Sequence, residues 1–105
     1  MSKARLFRAG RPSRQVPPNE PGAYYWRSKR TEVIVYIGVT NNLYRRMREH
    51  EYSEKSVNRR THHFEWKKAD KRFSMERLYE YEKRKIYENE PKLNGNGGGG
   101  GRRIK

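Results

Sequence analysis

The stretch Pro21–Gly38, PGAYYWRSKRTEVIVYIG, decides how this chain folds. It carries Gly22 and Gly38, and no other glycine occurs between residues 11 and 94. Residues 22–27 are rich in aromatics and residues 32–37 in β-branched side chains, which reads as two strands. SKRT (28–31) between them is a polar four-residue hairpin loop. Glycines this sparse belong where backbone or ligand must come close. Tyr24 and Tyr36 each lie two residues from one of them.

Working outward, VPPNEP (16–21) reads as an extended lead-in, and residues 1–15 as a flexible basic arm. Asn41 or Asn42 is placed to cap a helix over about 42–52. YSEKSVNRRT (52–61) reads as loop, and HHFEWKKA (62–69) alternates as a third strand. A long helix follows over about 74–89, with Ser74 at its cap and Pro91 just past its end. GNGGGGGRRIK (95–105) reads as a flexible, glycine-rich basic tail. The order β-β-α-β-α predicts an α+β domain over 16–94, a small three-stranded antiparallel sheet flanked by helices.

Composition bounds the function. The chain has 105 residues, 31% hydrophobic and 36% charged, so its core is small and rests on aromatics, among them eight Tyr and two Trp. There is no cysteine, which excludes disulfides and thiolate metal sites. VIVYI, the longest apolar run, is far too short for a membrane span, and the first residues hold no signal-peptide core. These features predict a soluble, cytoplasmic protein. The formal net charge is +14, spread over every segment except 73–94, where charges cancel. Basic residues interleaved with aromatics suit a nucleic-acid backbone, RNA as well as DNA. Arg45, Arg48, Arg59, Arg60, Lys67 and Lys68 are the candidates for that contact.

Helical spacing then picks out side chains. On the long helix Met75, Leu78, Tyr79 and Ile86 form an apolar stripe with Glu82 in its middle, while Glu76, Glu80 and Glu88 point away. A carboxylate facing a core costs several kcal/mol unless it is paired, protonated or metal-bound. An ion pair with an arginine explains it as well as a functional site does. On the first helix Leu43, Arg46, Met47 and His50 share a face, and Arg46 and His50, four apart, are neighbours. An arginine fork beside a histidine can hold a phosphate and move a proton. A histidine that merely packs is the plainer alternative, as simple packing is for the strand tyrosines.

Taken in order, GAY (22–24), YIG (36–38), VTNNLYRRMREH (39–50) and EKRKIYENEPKLN (82–94) resemble the GIY-YIG nuclease superfamily. VPPNEPGAYYW (16–26) is similar to the start of the N-terminal nuclease module of the bacterial excision-repair incision endonuclease. The resemblance spans about residues 16–94. Ala23 stands where the family usually has Ile or Val, at a position of packing and not of chemistry. The resemblance implies a divalent-metal-dependent endonuclease that hydrolyses DNA phosphodiester bonds by a one-metal mechanism, in a repair or recombination setting. It implies that Glu82 anchors Mg²⁺ or Mn²⁺ and that Tyr36, helped by Tyr24, activates water as general base. Arg46 would hold the scissile phosphate, His50 assist there, and Asn94 brace the site. With little chain outside the domain, substrate choice falls to DNA structure, the termini, a partner protein or a second copy. Two other readings stay open: a catalytically silent DNA- or RNA-binding module of the same fold, and a small basic structural protein.

Overall fold

The computed structural model describes Phe7 and residues 11–53, 57–70 and 74–94. The expected tail at 95–105 lies outside these residues. β1 (Gly22–Ser28) and β2 (Ile34–Thr40) form the hairpin, followed by α1 (Leu43–Ser53), β3 (His62–Lys68), α2 (Met75–Asn89) and a short 3₁₀ turn, Lys92–Asn94. The three strands make one antiparallel sheet in the order β2-β1-β3, so the order and class expected from the sequence are those of the structure.

The hairpin turn is longer than SKRT alone. Pairing slips by one residue between Trp26 and Arg27, and Glu32 takes a left-handed backbone at φ 63°. The Ser28 hydroxyl accepts from the Arg30 and Thr31 N–H groups, both at 3.2 Å, and holds the turn together. β2 therefore starts at Ile34, two residues later than predicted. It continues past Gly38 to Thr40, which pairs with Gly22. A glycine ends a strand by propensity, but the β1 ladder carries this one through.

Both helices begin where the sequence indicates. Asn42 Oδ1 accepts from Arg45 N–H at 3.0 Å, and Ser74 Oγ accepts from Arg77 N–H at 3.2 Å. At α1 two more N–H groups, which the helix itself leaves without acceptors, donate to the lead-in: Leu43 to the Glu20 carbonyl at 2.8 Å and Tyr44 to Pro18 at 3.1 Å. α2 ends with Glu90 in the left-handed region, its N–H bonded back to Ile86.

The helices cover opposite faces of the sheet. Leu43 and Met47 of α1 pack with Tyr24, Trp26, Phe64 and Val57. Leu78 and Tyr81 of α2 pack with Ala23, Val39 and Ala69, and Ile86 with Tyr25 and Ile37. Tyr81 thus takes the buried place expected for Tyr79, which is 51% exposed. Phe7 supplies the reason, lying edge-on against Tyr81 at 4.8 Å and widening the covered side of α2 toward that residue. Of the expected arm, Phe7 and residues 11–15 are described. Ser13 exchanges backbone bonds with Trp66 at 2.8 and 3.0 Å, and Phe7 bridges to Ala69, so this segment runs along the outer edge of β3.

Candidate functional site

The two glycines that frame the hairpin do different work. A Cβ on Gly38 would overlap the Tyr24 hydroxyl and come within 2.8 Å of its ring carbon Cε1. Gly38 is therefore the floor over which Tyr24 lies. A Cβ on Gly22 would overlap the Lys67 carbonyl and stand 2.9 Å from Leu43 Cδ1, so this glycine lets β3 and the start of α1 close on the strand.

Above Gly38 the aromatic groups converge. Tyr24 is almost wholly buried, and its hydroxyl is hydrogen-bonded to His50 Nε2 at 3.0 Å. Its ring stacks on Tyr36 at 6.0 Å and on Phe64 at 5.4 Å. His50 meets the half-buried Tyr36 edge-on at 4.6 Å. Arg46, one helical turn before His50, sets its guanidinium beside the Tyr24 hydroxyl and bonds Glu49 at 2.9 Å. Its Nε is buried and has no acceptor. Glu82 is buried on α2, and its charge acts on the Tyr24 hydroxyl from the far side of the sheet. It can do so because α2 packs chiefly on β2, the edge strand that carries Gly38.

The electrostatics follow from this packing. Burial first, then Tyr36 and Glu82, push the Tyr24 hydroxyl above its ordinary range, while Arg46 pulls the other way. Tyr24 is therefore a protonated phenol at neutral pH. Burial, reinforced by the Arg46 charge, lowers His50 to about 4 against the opposing effect of Glu49. The imidazole is therefore neutral. Burial works against the charge of Arg46 but is outweighed by Tyr24 and Glu49, so it stays a firm cation. A neutral base, a protonated phenol and a fixed cation with an unsatisfied donor are parts for proton movement and anion binding.

Asn94 sits one step behind. Its Oδ1 accepts from Ile37 N–H at 2.8 Å and its Nδ2 donates to the Ile37 carbonyl at 3.0 Å. Both ends of the amide are used on the outer edge of β2, between Tyr36 and Gly38. Asn94 thus holds the backbone of the strand that carries Tyr36.

The six expected nucleic-acid contacts are not gathered on one stripe. Arg45 and Arg48 lie on the outer surface of α1, where Arg45 bonds Asn41 at 2.8 Å. Arg59 and Arg60 occupy the turn before β3, with Arg59 paired to Glu51 at 2.8 Å. Lys67 is on the α2 side, 5.4 Å over the Phe7 ring, and burial and then Lys85 lower its pKa. Lys68 is exposed at the end of β3.

Sequence reasoning missed Phe64, the second ring on Tyr24, although strand alternation places it on that face. It also missed the arrangement around the buried Glu65, which takes Arg14 at 2.8 Å and Arg27 at 3.2 Å. No local signal marks that junction, because Arg14 belongs to the arm, far from Glu65 in sequence.

The fold is that of a nuclease-type domain. The model of the GIY-YIG catalytic domain matches residues 20–94. The chain belongs to the GIY-YIG family. Neither the curated proteins nor the solved structures compared with it gave a match.

Proposed function

We propose that this protein is a divalent-metal-dependent DNA endonuclease that hydrolyses phosphodiester bonds at the Tyr24–Tyr36–His50–Arg46–Glu82 cluster. The half-exposed Arg46 guanidinium, held beside a protonated phenol and a neutral imidazole, carries this reading. A phosphate oxygen is the acceptor its accessible donors can take.

Arg46 holds the scissile phosphate and stabilises the charge that builds on its non-bridging oxygens. Tyr36, half-exposed above Tyr24, orients the attacking water. As the Tyr24 hydroxyl oxygen takes that water's proton, it passes its own to His50 Nε2, 3.0 Å away. Neutral His50 is the group able to receive it. Asn94 keeps Tyr36 in place through the Ile37 backbone.

Among the described residues no group of three or more His, Cys, Asp or Glu gathers as a metal site. Glu82 would therefore hold a cation with water as the other ligands, which suits Mg²⁺ or Mn²⁺. Such an ion, when bound, would supply charge neutralisation of the phosphate and Lewis-acid assistance to the departing 3′ oxygen. A buried carboxylate whose charge reaches the Tyr24 hydroxyl fits that group.

Cleavage of labelled duplex, flap, fork and four-way-junction DNA in Mg²⁺, Mn²⁺ or EDTA tests the proposal, with wild type beside Glu82→Gln. Cuts should require the metal and fall about 1,000-fold in Glu82→Gln, while its melting temperature holds or rises. Wild-type protein that binds these DNAs and cuts none would refute the enzyme and leave a binding module.

A further inference from the structure

Across α1 from the Tyr24–His50 pair, a second concavity opens beside the start of β3. It has a volume of about 210 Å³ and lies between α1, β3, the β1–β2 turn and the docked lead-in. Its floor is apolar, made by the buried Met47 and Phe64. Its rim is basic, made by Arg14, Lys29, Arg59 and His62, and none of the described residues that line it is acidic.

Arg14, Arg59 and Lys29 are fixed before any ligand arrives. Glu65 engages Arg14 at Nε and Nη2, both at 2.8 Å. Glu51 engages Arg59 at Nε at 2.8 Å and Nη2 at 3.3 Å. Each carboxylate thus grips one edge of a guanidinium that carries five donors. Lys29 Nζ donates to the Arg59 carbonyl at 2.9 Å, so the lysine is tied to the arginine beside it. Side chains already held in place have less conformational freedom to lose on binding. The volume is below that of drug-sized pockets, roughly 300–1,000 Å³. It suits a sugar and a phosphate: the floor takes the sugar face and the rim takes the anion.

We infer that this cleft is a second phosphodiester-binding site, which holds a backbone phosphate of the DNA away from the bond that is cut. Its use by a substrate strand rests on the nucleolytic reading above. The cleft and the cluster lie on opposite flanks of α1, so one nucleic acid can engage both only by crossing that helix. The helix surface it would cross carries Arg45 and Arg48.

The test uses the full chain carrying Glu82→Gln, so that DNA is bound and not consumed, with affinity for a short labelled DNA duplex read by anisotropy over a salt series. Lys29→Gln should weaken binding about 3- to 10-fold and make the slope of log K against log salt shallower by about 1. Lys83→Gln removes the same charge from α2 and should change affinity less than about twofold. Both variants should melt as their parent does. In the active protein Lys29→Gln should raise KM and leave kcat unchanged. Equal effects of Lys29→Gln and Lys83→Gln would overturn the inference, because net charge alone would then explain them. DNA held through Lys29 by a protein that never cuts would uphold the cleft and sink the nuclease. Cleavage indifferent to Lys29 would do the reverse.

Discussion

Tyr24 and Tyr25 are neighbours on β1, yet they live in different chemistry. Both are buried, and burial pushes both hydroxyls up. Tyr25 points toward α2 and bonds the hydroxyl of Tyr81, a partner of its own kind. Tyr24 points toward α1 and meets a neutral imidazole, a fixed arginine and the charge of Glu82. The first pair satisfies two buried donors and does nothing more. The second can move a proton, because its two members differ in basicity. A buried tyrosine is thus made structural or chemical by what faces it, and strand alternation sends adjacent residues to the two outcomes.

The sharpest way to break this contrast is Tyr24→Phe beside Tyr25→Phe. Tyr24→Phe should slow cleavage about 100- to 1,000-fold, the range for losing a positioned proton-transfer group. Tyr25→Phe should leave the rate within about twofold on the same scale. Similar losses in both variants would mean that the two hydroxyls serve packing alike.

A smaller effect reports on His50. Its imidazole is lowered from 6.5 to about 4, so the unfolded chain binds more protons than the folded one between those values. Stability from this group is therefore complete above pH 6.5 and is lost as pH falls toward about 4, by at most about 3 kcal/mol. Denaturant titrations from pH 7 to 4 should show that loss, and His50→Gln should flatten it. A stability unchanged by His50→Gln across the window would contradict a buried neutral imidazole.

The smallest expected effect is on the structural side of the pair. Tyr25→Phe leaves the Tyr81 hydroxyl buried without its partner and should lower stability by about 1–2 kcal/mol. An unchanged midpoint would show that Tyr81 finds water or another acceptor.

Much of this was legible in the chain itself. Aromatic and β-branched side chains around Tyr24 and Tyr36 indicated the first two strands, and Asn41 or Asn42, with Ser74, marked where the helices start. Helical spacing placed Arg46 with His50 and set Glu82 on a buried stripe. The misses share one cause. Tyr79 and Tyr81 are equally plausible edges of that stripe, and Phe7, far away in sequence, chooses between them. β2 runs through Gly38 because β1 lies beside it, against the local preference of glycine. The sequence also does not show that residues 11–15 of the arm dock on β3 and supply Arg14 to Glu65.

By itself, then, the sequence determined the element order, the basic character and the set of groups available for chemistry. Those properties follow from local backbone preference and from periodicities of two and 3.6 residues, which any short window displays. Tertiary structure alone decided which tyrosine meets the imidazole, which glycine makes room for it, and that Asn94 is spent on the β2 backbone. Those contacts join residues 26 and 57 positions apart. They form only when two helices close on opposite faces of one sheet, and no local pattern encodes which buried group will stand opposite which.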